Sequence, residues 1–306
     1  MTSTAGPRFY PFDKLIIGFC TLMAAAILLL GRPLGSYLDS LAFFAGVVIV
    51  VILVARCLDP AAGRWHALVR LLYPVLLFSF FYTNMGNLVF LMHDQFYDWQ
   101  LTAFEQMILG VNPTLYIDKN LLNVWINDLF SLTYASYYPM IPVFFIVLFL
   151  NRREGAIKRS MTAVCTAFFI SYILFVLYPI EGPRWYFASE YNNGIEGLIF
   201  RPFVEFIIDT AAFRGGCMPS SHVAVAIVIM LACLKYYRRV GWALVPVNIG
   251  LAIGTFWGRF HYISDVVVGL AIGIFSWRLI ETYYSKWTPA DSPVGKEREL
   301  QRDYVT

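Results

Sequence analysis

The sequence predicts an all-α polytopic transmembrane helix bundle of about eight spans, and three observations carry that expectation. Hydrophobic residues make up 59% of the 306-residue chain. Charged residues make up 14%, against roughly 25% in a typical soluble domain, too few to cover a water-facing surface of this size. Apolar runs near the roughly 20 residues needed to cross a hydrocarbon core recur along the whole chain. The net charge of +3 is small and scattered, with no aromatic-interleaved basic stripe, which excludes a nucleic-acid partner. Five cysteines, Cys20, Cys57, Cys165, Cys217 and Cys233, fall at no paired spacing, and four of them lie in or beside apolar runs and read as small core residues.

The expected spans are 14–30, 38–56, 67–92, 122–150, 160–179, 219–236, 240–257 and 261–283. No cleavable leader pattern precedes them. With the N-terminus placed in the cytoplasm and eight crossings, 17 of the 23 basic residues fall inside, as the positive-inside bias requires. The six exceptions are Arg32, Lys119, Arg184, Arg201, Arg214 and Arg259. Both termini are therefore expected in the cytoplasm. Two outer connections are long enough for interfacial helices. In the first, Phe96, Trp99, Phe104 and Met107 share one helical face. The second runs through 195–213 and reads as a helix broken at Pro202. Both read as scaffolding at the outer rim or as walls beside a lipid. His93-Asp94 reads as a cap or rim contact, and His66 as interfacial.

Ionisable residues at membrane depth are costly and mark function. Three such clusters end on the same, outer side: Glu181-Gly182-Pro183-Arg184-Trp185, Arg214 to His222, and Gly258 to Asp265. Pro219-Ser220-Ser221 opens a helix whose free N–H groups suit an anion, with a serine hydroxyl to help. His222 is placed there to protonate a leaving oxygen. His261 and Asp265, four apart, share a helical face, so the carboxylate fixes the imidazole tautomer and frees the other nitrogen to attack. Arg184 and Arg259 offer planar forks for phosphate oxygens. This set needs no cofactor. A metal held among His93, Asp94, His222, His261 and Asp265 is disfavoured, because nearby arginines oppose a cation and no zinc-ligand spacing occurs. Beside Cys217 nothing suggests a nucleophile. A competing class is an anionic-lipid-binding protein or transporter. Only the fourth span is interrupted, at Pro139 and Pro142, without the partner interruption that transporter halves show.

Pro219-Ser220-Ser221-His222 followed by His261-Tyr262-Ile263-Ser264-Asp265 resembles the second and third motifs of the phosphatidic acid phosphatase type 2 superfamily. Its members are integral membrane phosphatases and phosphotransferases. The resemblance covers 66–285 as a six-span catalytic core. Residues 1–65 would then be two additional helices, and 286–306 a cytoplasmic tail. It implies His261 as nucleophile, Asp265 as its partner, His222 as general acid and Ser220 on the phosphate. The superfamily's first motif places a lysine before an Arg-Pro pair, whereas here only Glu181-Gly182-Pro183-Arg184 is present. Its third motif carries an arginine six residues before the histidine, where this chain has Thr255 and the nearest arginine is Arg259. The spelling Gly216-Cys217-Met218-Pro219-Ser220 is similar to the inositol phosphorylceramide synthase and sphingomyelin synthase branch, which passes a headgroup to a lipid alcohol. The implied reaction is cleavage of a lipid phosphate ester or phosphodiester in the bilayer, through a phosphohistidine, with water or an alcohol as acceptor.

Overall fold

The computed structural model describes residues 9–287, so most of the expected 286–306 tail lies outside the described residues. Thirteen α-helices follow one another with no strand among the described residues. They are α1 (Pro11–Leu30), α2 (Leu38–Cys57), α3 (Arg64–Met85), α4 (Asp98–Leu109), α5 (Pro113–Asn120), α6 (Val124–Ala135) and α7 (Tyr137–Leu150). Then come α8 (Glu154–Leu177), α9 (Pro183–Tyr186), α10 (Phe200–Ala211), α11 (Ser221–Tyr236), α12 (Arg238–Trp257) and α13 (Ile263–Trp287). Among the described residues, seven stretches are long and apolar enough to cross a membrane, and α11 is a shorter apolar helix of 16 residues. The chain is an all-α integral membrane bundle. The expected spans correspond to these eight segments, with shifts of a few residues at their ends. The largest shifts are at the end of α3, which stops at Met85, and at the start of α8, which begins at Glu154 with Glu154 and Lys158 paired four apart on its first turns.

The fourth span is two helices, α6 and α7, meeting at Ser136. Pro139 explains the joint: it lacks an N–H for the Ala135 carbonyl, and its ring crowds that carbonyl. The expected break at Pro202 does not occur. Helix α10 runs through it, because Pro202 is the third helical residue, where its missing N–H would have no intrahelical partner.

Helix α11 is buried on all sides: residues Val223 through Ile229 are inaccessible or nearly so. It packs against α7, α8, α12 and α13. Glycines let these helices approach. The pentapeptide Gly-Leu-Ala-Ile-Gly occurs twice, at 250–254 and 269–273. A Cβ at Gly250 would lie 2.7 Å from Thr133, and one at Gly254 would lie 2.5 Å from the Phe130 carbonyl on α6. Cβ atoms at Gly269 and Gly273 would lie 2.4 and 2.5 Å from the Ser220 and Ala224 carbonyls at α11. Without a hydrophobic drive between helices in lipid, such backbone proximity and its van der Waals contact hold the bundle.

A buried polar knot closes the end of the bundle where α1, α3 and α8 start. Asp13 is ion-paired with Arg70, and it also accepts hydrogen bonds from Tyr73 Oη (2.6 Å) and the Tyr10 amide (2.7 Å). The Arg70 guanidinium lies 4.1 Å from the Tyr10 ring centroid. Arg159 and Lys235 meet Glu281 at the same end. The opposite end carries the three polar clusters.

Candidate active site

The site is made by the ends of α8, α11, α12 and α13, joined by backbone contacts between the three clusters. Ile180 bridges Gly215 and Gly216, and the Cys217 amide donates to the Ile180 carbonyl at 3.4 Å. The Ser220 amide donates to the Asp265 carbonyl at 3.0 Å. The chain turns from the first cluster at Gly182, whose φ of 105° lies where a side chain is strained. Helix α4 clamps this junction from the side. Asp98 accepts from the amides of Glu181 (2.7 Å) and Gly182 (2.9 Å) and from Tyr262 Oη (2.9 Å). Glu105, seven residues on and so on the same face, accepts from the Ser264 amide (2.7 Å) and Oγ (2.9 Å). Burial pushes the Asp98 carboxyl up to about 6, although the hydrogen bonds it accepts pull the other way. Burial raises Glu105 as well. Trp99, Phe104 and Met107 point outward, so α4 turns its acids inward and its apolar face away.

His261 is 4% exposed, and its Nδ1 lies 2.8 Å from the Cys217 carbonyl and 3.4 Å from Asp265 Oδ2. A carbonyl oxygen only accepts, so Nδ1 carries the proton and Nε2 keeps its lone pair. Asp265 is wholly buried; its Oδ2 also accepts from the Tyr262 amide (2.8 Å) and the Cys217 thiol (2.8 Å). Burial, with Asp265 beside it, raises Cys217 and keeps its thiol protonated.

His222 faces His261, ring centroids 6.0 Å apart. It stands among Tyr134, Tyr137 and Tyr138. Its Nε2 lies 3.4 Å from Tyr134 Oη, and its Nδ1 has no partner among the described residues. Ser220 caps α11, its Oγ accepting from the Val223 amide, so Pro219 sits before the cap rather than inside the first turn. A narrow cleft lies between the histidines, lined also by Arg184, Glu181, Trp185 and Cys217. A second, larger and mostly apolar cavity of about 370 Å³ adjoins it between α3, α7, α8 and α10. Ser221 and His222 are in its wall.

The two candidate arginines differ. Arg184 lines the cleft while ion-paired with Glu205 (2.7 Å) and Asp209 (2.8 Å) on α10. Burial alone would lower it, but these carboxylates raise it above the ordinary arginine value. Arg259 is not among the residues lining the cleft. It takes a left-handed backbone (φ 66°), pairs with Asp118, donates to the Asn193 carbonyl (2.7 Å) and covers the Tyr191 ring at 3.8 Å. Burial lowers its pKa. Arg201, in the sequence only one of the outer basic residues, is likewise not among the residues lining the cleft. Arg201 is 5% exposed, pairs with Glu205, donates to the Gly258 carbonyl (3.4 Å) and lies 5.2 Å from the Phe260 centroid. Asp128 reaches from α6 to accept four amides, Leu198 to Arg201, at the start of α10. His93 makes rim contacts, with Tyr97 Oη (3.0 Å) and the Leu177 carbonyl (3.1 Å).

Gly269 is one helical turn beyond Asp265 and presses on the carbonyl of Ser220. Gly269→Ala must therefore separate α13 from α11 at the site. A displacement near 1 Å costs about 100-fold in rate, so turnover is expected to fall by roughly 10- to 100-fold. Helicity by circular dichroism should stay at the wild-type level; unchanged turnover would count against this packing constraint.

Residues 99–279 match the family model described as PAP2 superfamily. A PA-phosphatase related-family protein of Dictyostelium discoideum is 31% identical over 142 residues, which is 45% of this chain. The match covers 25% of that protein, so the chain spans about a quarter of its relative's length. No solved structure matches the chain.

Proposed function

The chain belongs to the PAP2 superfamily, and from that membership we propose that it cleaves a lipid phosphate ester or phosphodiester by metal-independent phosphoryl transfer through a phosphohistidine. The observation that carries this reading is the fixed tautomer of His261, with its Nδ1 proton on the Cys217 carbonyl and His222 facing it across the cleft.

The step runs as follows. His261 Nε2 attacks phosphorus and the bond from phosphorus to the lipid oxygen breaks. His222, charged at that moment, gives its proton to the departing oxygen. His222 then takes a proton from water or an alcohol, which attacks phosphorus and breaks the P–Nε2 bond. Asp265 and the Cys217 carbonyl hold the His261 ring and stabilise the charge it gains. Arg184 and the start of α11 at Ser220 and Ser221 are our choice for the phosphate oxygens, Arg184 trading a carboxylate of α10 for the substrate. In the same reading Arg259 acts at one remove, tying the loop before His261 to Asp118. Water and alcohol use the same residues, so hydrolysis and headgroup transfer are two outcomes of one intermediate.

The apolar cavity behind His222 supports a lipid substrate, since an acyl chain fits beside the cleft that receives the phosphate. Basic residues gather at the far end, among them Lys14, Arg64, Arg153, Lys158 and Arg239, which supports a cytoplasmic far end and an outward-facing site. Helices α1 and α2 are read as an addition to a six-span core.

A panel of lipid phosphates with and without an alcohol acceptor, each run with EDTA, tests the reading. Phosphate or transferred headgroup is expected in the presence of chelator. His222→Ala should lower the rate by about 10²–10⁴-fold, the usual worth of a positioned acid and base. Activity abolished by EDTA, or untouched in His222→Ala, would overturn the proposal.

A further inference from the structure

The objection that arginines repel a cation from this end of the bundle loses its force once their partners are seen. Arg184 is matched by Glu205 and Asp209, Arg214 by Glu181, and Arg259 by Asp118. Behind them lie three metal-ligating atoms, Cys217 Sγ, His261 Nδ1 and Asp265 Oδ2, all within 4.8 Å of one another. The individual separations are 3.5 Å from sulfur to nitrogen, 3.4 Å from nitrogen to oxygen and 2.8 Å from sulfur to oxygen. Zinc bonds of about 2.3 Å to sulfur and about 2.1 Å to nitrogen and oxygen, at a tetrahedral angle, put ligand atoms roughly 3.4–3.6 Å apart. Two of the three separations already meet that requirement. The third is short because the thiol proton bridges it, and it opens when that proton leaves. Asp265 Oδ1 is buried without a hydrogen-bond partner among the described residues, so the carboxylate has capacity to spare.

We propose that Cys217, His261 and Asp265 form an inhibitory site for a thiophilic divalent cation such as Zn²⁺, which stops the reaction by capturing His261 at Nδ1. The inhibitory half rests on His261 being the nucleophile; the binding half does not. The cation displaces the Cys217 thiol proton to solvent, and a water fills its fourth position. One thiolate and one carboxylate cancel its two charges, so the buried site is neutral. A neutral imidazole bound to metal through Nδ1 must carry its proton on Nε2. The ring is thereby locked in the tautomer with no lone pair at the attacking nitrogen. A hard cation such as Mg²⁺ prefers oxygen ligands and keeps its waters, so it would not take this set.

The test uses the full chain in detergent, stripped with EDTA and then titrated with Zn²⁺ or Co²⁺ alone. Expected are one tight cation per chain, a thiolate-to-cobalt charge-transfer band, and loss of lipid phosphate turnover that EDTA restores and Mg²⁺ does not mimic. In Cys217→Ser the band should vanish and the zinc affinity weaken by roughly a hundredfold, while Cys57→Ser, at an exposed cysteine, keeps both. Wild type that binds no cation tightly, or a band that survives in Cys217→Ser, overturns the site. If Cys217→Ser does not fold, Cys217→Ala read by the same band serves in its place. A band present with turnover unaffected would refute the inhibitory half and point to a different nucleophile, separating that failure from failure of the site.

Discussion

In His261→Ala, turnover of a lipid phosphate is expected to fall by on the order of 10⁴–10⁶-fold, the scale seen when a covalent nucleophile is removed. Wild type quenched during turnover of a phosphorus-labelled lipid should hold label on the chain, stable in base and lost in acid, as a phosphoramidate is. The variant should hold none. The size of the effect follows from how completely the ring is prepared: its Nδ1 is bound by the Cys217 carbonyl, Asp265 lies behind it, and 96% of its surface is out of solvent. No other described histidine is equipped to replace it, since His222 lacks a carbonyl or carboxylate partner and His93 is on the rim. Asp265→Asn separates position from charge. It keeps an acceptor for the Tyr262 amide but stabilises the charged ring less, and should retain more activity than His261→Ala. Turnover near wild type in His261→Ala, or label retained on it, would remove His261 from the reaction.

The second large effect concerns stability at the far end. Asp13→Ala leaves Arg70 charged in a place where its side chain is 2% exposed. Breaking one partner of a buried ion pair costs about 3–5 kcal/mol, because the remaining charge loses the carboxylate that offset its burial. Tyr73 loses its acceptor as well. The thermal midpoint of the detergent-solubilised protein should drop clearly. Asp13→Ala combined with Arg70→Met should recover part of the loss, since the buried charge is gone. Turnover below the new midpoint should be little changed, because the knot lies at the end of the bundle away from His261. Single and double variants with the same midpoint would show that the pair carries no such coupling.

The spans were legible because hydropathy and length are properties of one segment, and a bilayer demands both. The convergence of His222, His261 and Asp265 was legible for a similar reason: alternation of spans places segment ends on sides, and three polar ends fell together. What tethers them was hidden. Asp98 and Glu105 stand 83 and 159 residues from the groups they hold, and nothing local distinguishes them from interfacial acids except a seven-residue spacing. Arg259 looked like a phosphate fork because of its closeness in sequence to His261, but Asp118, on a short helix far back in the chain, claims it. The contacts of Arg201, counted in the sequence only as an outer basic residue, were hidden for the complementary reason, since only the fold brings α10 to Gly258 and Phe260. Pro202 was misread as a break because a proline's effect depends on its distance from the helix start, which Asp128 sets from another helix. The twin Gly-Leu-Ala-Ile-Gly strings were a readable signal of close helix contact that composition alone did not raise.

His222 stands in the wall of both cavities, the cleft that also holds His261, Arg184 and Glu181 and the mostly apolar cavity beside it. Drawing an acyl chain into water costs about 0.8 kcal/mol per methylene, roughly 12 kcal/mol for sixteen carbons. A substrate whose phosphate meets the histidines while its chain slides from one hydrocarbon surrounding to another avoids that cost. If the chain acts on a lipid phosphate as proposed, saturation is governed by crowding within the plane of the bilayer; the rate is then expected to follow the substrate's mole fraction among lipids and to stay unchanged per protein when the vesicles are diluted.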